Sequence, residues 1–169
     1  MLDNIRRLIS DKMSDDVGDL PDLILQPIGV VRNSVKEPRP DGWEAIVSRI
    51  ILRPELSEAV IGLDGYSHLL VLFWLHLVPA RGESSETLLP LAGDADIPCQ
   101  GVLATRSQQR PNPIGTTVVC QLSSKENILH VRGLDAIDGT PVLDVKPYIP
   151  LYDSVASARL PSWAVVDGD

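Results

Sequence analysis

The chain has 169 residues, 44% apolar and 22% charged, with 23 acidic against 15 basic side chains and a formal net charge of -8. This is enough chain for one domain whose core stands without metal or disulfide staples. No segment reaches the ~18 apolar residues that a helical membrane span needs, and the acidic balance works against a surface that grips a polyanion everywhere.

Residues 1–20 read as a leader separate from the domain at 21–169. Leu2, Ile5, Leu8, Ile9 and Met13 recur at three- and four-residue spacing, which predicts a short N-terminal amphipathic helix. Ser14 to Pro21 reads as an acidic linker. Acids at 3, 11, 15 and 16 interrupt the layout of a signal peptide, so the expected location is cytoplasmic.

From residue 23 the pattern turns to short apolar or β-branched runs at 23–32, 45–52, 69–78, 116–122, 128–131 and 142–145. Pro40-Asp41-Gly42, Arg53-Pro54, Asp64-Gly65, Pro111 to Gly115 and Asp138-Gly139 punctuate them as turns. Helical turns are expected at 55–60 and 84–91. Many short strands with little helix predict a mainly β fold, a small antiparallel barrel or sandwich. Aromatic residues make up 4% of the chain, so the core should be mostly aliphatic. Cys99 and Cys120 lack a C-x-x-C spacing and read as reduced thiols. There is no metal-ligand cluster and no G-x-G-x-x-G for a Rossmann-type site.

One loop carries a denser chemistry. Ala104-Thr105-Arg106-Ser107-Gln108-Gln109-Arg110-Pro111-Asn112-Pro113-Ile114-Gly115 sets two guanidinium groups four residues apart. Its prolines stiffen the backbone around Asn112. Arginine offers a permanent planar charge suited to carboxylates, phosphates and stacked rings. On residue types alone, a ligand-holding loop and a surface loop paired with the chain's many acids are equally compatible with it. His68 and Ser67 stand at the start of the longest apolar run, His76 inside it reads as a core or interface histidine, and His130 reads as exposed. Asp138 serves either its own turn backbone or as a proton acceptor. Trp43 either stacks on a purine or covers the barrel mouth.

The same loop resembles the ATRSxxRPNPIG hallmark of the TsaA-like family of S-adenosylmethionine-dependent tRNA methyltransferases. Three further segments are similar in order and spacing: Gln26 to Arg32, Gly62-Leu63-Asp64-Gly65-Tyr66-Ser67-His68-Leu69, and Gly133 to Tyr148 with its Asp138-Gly139-Thr140-Pro141-Val142 core. The likeness runs from about residue 24 to 152. It implies a small β-barrel, S-adenosyl-L-methionine as cofactor and methyl transfer as the reaction. In-line transfer from a sulfonium asks for alignment, exclusion of water and at most one base.

Carried over residue by residue, the resemblance implies that Ser67, His68, Arg106, Thr116, Gly133, Leu134 and Asp135 contact the cofactor. Pro38 and Arg39 join them where longer members carry a P-R-Q stretch, although this chain reads E-P-R-P-D-G-W. Arg110, Asn112 and Asp138 are then the residues expected to face the acceptor as the catalytic set. The family's activity implies N6-methylation of N6-threonylcarbamoyladenosine in tRNA, and its members imply a homodimer. The acidic charge, and an end only about seventeen residues beyond the likeness where longer members continue into a C-terminal domain, favour a small-molecule thiol or inorganic acceptor instead. A non-catalytic module that binds S-adenosylmethionine or a nucleotide is the reading from a different class.

Overall fold

The computed structural model describes Gly18, residues 20–78, the backbone of 88–89, and residues 99–164. The expected N-terminal helix lies outside these residues. Six strands, β1 (Gly29–Arg32), β2 (Val47–Leu52), β3 (His68–Trp74), β6 (Ile114–Lys125), β7 (Ile128–Arg132) and β8 (Pro141–Pro147), close into one barrel. Two short strands, β4 (Leu88–Leu89) and β5 (Gln100–Gly101), pair outside it. The barrel order is β1-β2-β7-β6-β3-β8, with β8 returning to β1 and every pairing antiparallel. Closure leaves no open sheet edge, which explains how so short a set of strands is stable without a second layer.

Alternation fixes the inside. In β2 Ser48, Ile50 and Leu52 point inward, in β3 Leu69, Val71 and Phe73, in β7 Leu129 and Val131. With Val31, Val119, Leu134, Ala136 and Val142 they form one core cluster in which Phe73 is the aromatic member. Burial of a side chain of that size contributes roughly 2–3 kcal/mol. The buried Ser48 hydroxyl accepts a 2.9 Å bond from the Asn33 amide, which also donates to the Ala136 carbonyl at 2.8 Å. This single amide ties the segment after β1 to the segment before β8.

Three features depart from the periodicity. The first strand begins at Gly29 rather than at 23; Leu23 and Ile24 are exposed. The third strand stops at Trp74, because the Leu75 N–H turns to the Pro113 carbonyl at 2.8 Å and Val78 closes a turn back on Leu75. A register shift between Leu72 and Phe73 against β8 marks the same break. The long β6 serves both β3 and β7 through an irregularity between Gln121 and Ser123, the local bend a barrel corner needs. The helical turn expected at 55–60 is present as a short 3-10 helix at Pro54–Leu56. The described part of 84–91 is strand β4 instead.

Candidate active site

A cleft opens where β3 ends. One lobe, about 310 Å³, is lined by Pro38, Arg39, Trp43, Phe73, Leu75 to Val78 and Asp135 to Ile137. The adjoining lobe, about 420 Å³, adds Thr105, Arg106, Arg110, Gly115 and Thr116. Phe73, Leu75, Gln108 and Asp135 line both, so the two are one site of a size that takes a cofactor-like molecule.

Each wall has a local cause. On the 38–43 segment the Trp43 indole N–H donates to the Arg39 carbonyl at 3.1 Å, and the Arg39 guanidinium lies 5.9 Å from the indole centroid. Gly42 at φ 74° lets the Arg39 side chain cross its Cα, where any Cβ would overlap the guanidinium. In the 102–110 segment the Thr105 hydroxyl donates to the Val102 carbonyl at 3.0 Å and accepts from the Ser107 N–H at 3.2 Å. Arg110 donates to the Thr105 carbonyl at 2.7 Å, closing the loop from the far side. Arg106 donates to the Thr116 carbonyl at 3.1 Å, and the Thr117 hydroxyl donates to the Asp135 carboxylate. A cation and an anion, each anchored to the start of β6, therefore line the same lobe. The floor is the Phe73 ring, against which Gly115 packs so closely that a Cβ there would overlap it.

Of the residues singled out from sequence, the structure brings Pro38, Arg39, Arg106, Arg110, Thr116 and Asp135 together around this cleft. Leu134 is fully buried in the core, one residue behind Asp135. Gly133 turns the chain at φ 89° out of β7, its N–H donating to Ile46. Neither of these two lines the cleft, and four more candidates lie away from it. Ser67 and His68 sit at the other end of β3, and His68 is five residues and so roughly 16 Å from Phe73. Their side chains bond each other at 2.9 Å and are exposed. Asn112 opens instead on a groove with Leu23, Leu25, Trp74 and Leu143. Asp138 faces away: Asp135, Ala136 and Ile137 line the cleft, and the turn that follows opens Asp138 onto a neighbouring groove.

There Asp138 bonds residues at the end of β1 and after it rather than its own turn backbone. It accepts from Lys36 Nζ at 2.8 Å and from the Asn33 N–H at 3.1 Å, with Arg32 at 3.5 Å. The Lys36 bond first, then the Asn33 N–H and the charges, holds its carboxyl below the ordinary 3.8. A carboxylate so satisfied ties the segment before β8 to the segment after β1.

His76 and Gln108 also line the cleft, although the residue pattern singles out neither as a site residue. His76 reads as core only if the strand continues to Val78. Once it ends at Trp74, His76 becomes exposed at the cleft. A histidine interrupting an otherwise apolar run was the available signal.

Residues 32–154 match the model of the tRNA-methyltransferase O N-terminal domain. The chain belongs to that family. It is 40% identical over 135 residues to a probable S-adenosyl-L-methionine-binding protein of Methanothermobacter thermautotrophicus, covering 78% of this chain and 93% of that one. It is also 39% identical over 147 residues to the tRNA (adenine(37)-N6)-methyltransferase of Escherichia coli, covering 79% of this chain and 60% of that enzyme. A crystal structure of TrmO from Pseudomonas aeruginosa superposes with a TM-score of 0.69 at 34% identity, over 86% of this chain and 63% of that chain. The fold and the family expected from the ATRSxxRPNPIG segment are thus those found. The family supplies S-adenosylmethionine as the cofactor and methyl transfer as the reaction.

Proposed function

We propose that this barrel transfers the methyl group of S-adenosylmethionine to an adenine nitrogen of tRNA, with the cleft at the end of β3 as its active site. What carries the reading is that Arg106 and Asp135 line the same cleft, each anchored by its own hydrogen bond, beside an aromatic and apolar wall. The cofactor is a zwitterion with a cationic sulfur and a flat purine, and the donor set matches it. Arg106 would hold the carboxylate, and Asp135 would face the cationic groups. Trp43 and the Phe73 to Leu75 floor would cover the purine. Bound there, S-adenosylmethionine supplies an electrophilic methyl.

The remaining work falls to the chain. The Arg39–Trp43 flap excludes water, and the rigid 102–110 loop holds Arg106 in one geometry. Among the residues lining the cleft, His76 and Asp135 carry side chains with the chemistry to accept a proton. Asp135 is already hydrogen-bonded by Thr117 and set against the cofactor's charge, so His76 is the side chain assigned to the acceptor's proton. Such an acceptor places the work in the cytoplasm. The exposed apolar residues Leu20, Leu23, Ile24 and Leu25 supply a face on which the expected homodimer could form.

The experiment is transfer from methyl-radiolabelled S-adenosylmethionine into bulk tRNA that lacks the family's modification, beside a small-molecule fraction of cell extract. Label in tRNA adenine is the expected result, and its loss without threonylcarbamoyl groups would identify the substrate. Label only in the small-molecule lane, with cofactor binding intact, overturns the tRNA acceptor.

A further inference from the structure

The acidity of the whole chain hides a basic face. Strands β1, β2, β6 and β7 contain no aspartate or glutamate, although the chain has 23 such residues. On their outer surface Arg32 is the cross-strand partner of Arg49, and Arg49 is the partner of His130. Arg132 lies two residues further along β7, opposite Val47 and Cys120. Lys36 reaches the same groove from the loop after β1. Like charges placed directly opposite across a sheet cost stability. Here the carboxylate that meets them is Asp138, which is shared between Arg32 and Lys36. Among the described residues Arg49 and Arg132 have no acidic side chain within ion-pair distance. The acids nearest in sequence stand outside the row: Glu44 precedes β2, and Asp135, three residues past Arg132, lines the cleft.

This face adjoins the cleft through two shared segments. The chain after β1 lines the basic groove with Arg32, Asn33 and Lys36 and then the cleft with Pro38 to Trp43. The segment before β8 does the same with Asp138 on one side and Asp135 and Ile137 on the other. A row of guanidinium groups in which Arg32 alone meets a carboxylate among the described residues, one ridge away from a purine-sized cleft, fits an extended polyanion rather than a small acceptor.

We propose that the outer face of β1, β2 and β7, centred on Arg49 and Arg132, holds the phosphodiester backbone of the RNA acceptor and leads the target base over the 38–43 ridge into the cleft. This rests on the RNA methyltransferase reading and names the surface that an acidic protein would use for it.

The test is binding of an RNA hairpin shaped like an anticodon stem-loop, followed by fluorescence anisotropy across a salt series, with the full chain and its R49E/R132E variant. The variant should lose affinity by on the order of tenfold or more at low salt, and its log–log salt slope should become shallower by about 1–2. Its S-adenosylmethionine affinity, measured by calorimetry, should match the parent and so report an intact barrel. A K146E variant removes a cation from β8, elsewhere on the barrel, and should leave RNA affinity near the parent's. Equal RNA binding and equal salt slope for parent and R49E/R132E overturn the surface, as does binding of phosphatidylserine vesicles with none of the hairpin. Patch-dependent RNA binding without methyl transfer would sink the enzymatic reading and leave the surface standing. Transfer into tRNA that R49E/R132E does not impair would do the reverse.

Discussion

The two ends of β3 begin from similar raw material and finish with different chemistry. At its start, Ser67 and His68 are polar, exposed and next to a glycine turn. Yet the main chain here is committed to closing the barrel: the Gln121 N–H donates to Ser67, Tyr148 to His68, and the Gln121 side chain to the carbonyls of Leu63 and Tyr66. The two side chains bond each other, and the groove beside Ser67, lined by 64–66 and 121–124, brings no cationic side chain to them. At the other end the strand breaks after Trp74, and four separate segments bring Arg39, His76, Arg106 and Asp135 to one space. Polar residues become a site when elements distant in sequence are anchored to aim them together, and only one end of the strand has those anchors.

The largest break in this comparison is Phe73→Ala. The ring is 2% exposed, belongs to the core and floors the cleft, so its removal should cost about 3–5 kcal/mol of unfolding free energy. Urea denaturation measures it, and cofactor binding should fall with it. Gly115→Ala attacks the same ring from the other side and should cost about 1–3 kcal/mol by overpacking. A sharper contrast comes from Arg106→Ala set against His68→Ala. Loss of a charge-assisted contact should weaken S-adenosylmethionine binding on the order of 10- to 100-fold. The exposed His68 should change it by about twofold or less. Equal losses in calorimetry would mean that the cofactor spans both ends of the strand.

The sequence made the barrel legible because alternation in β2, β3 and β7 is regular and the turns are marked by glycine and aspartate. The 105–116 loop was legible because prolines and arginines are unusual together. Three things were not. The end of β3 comes with a register shift against β8, a strand about 70 residues away, so from the chain alone His76 reads as a core or interface histidine. The aim of Asp138 depends on Lys36 and Asn33, about 100 residues away in the chain. The basic face was hidden because Arg32, Arg49 and Arg132 are scattered in sequence and meet only through pairing. Local patterns survive reading from one chain; long-range register does not.

Arg110 offers a middle-sized test of whether the 102–110 loop is rigid by design. Its bond to the Thr105 carbonyl should contribute about 1 kcal/mol. Arg110→Ala should leave the global denaturation midpoint nearly unchanged. It should speed amide exchange at Ser107 and Gln109, whose N–H groups are held by Thr105 and Ser107. Cofactor affinity should fall less than for Arg106→Ala. An unchanged exchange pattern would show that the prolines alone stiffen the loop.

The smallest expected effect lies on the ridge between the cleft and the basic face, and its sign follows from Asp138. Its carboxyl titrates below 3.8 in the folded chain because Lys36, the Asn33 N–H and Arg32 favour the charged form. The stabilisation is therefore complete above the unfolded value and disappears as pH falls below about 4 through the folded value. Asp138→Asn should leave a protein that is somewhat less stable at neutral pH and loses less on acidification, so the two stability curves converge in acid. Urea midpoints measured from neutral pH downward check this. The variant should also loosen Lys36 and Arg32 and raise the positive charge of the groove. RNA affinity should then hold or rise while cofactor affinity stays put. If cofactor affinity falls with it, the 32–43 segment is a single mechanical unit, and the tether at Asp138 also sets the position of Arg39 and Trp43 over the cleft.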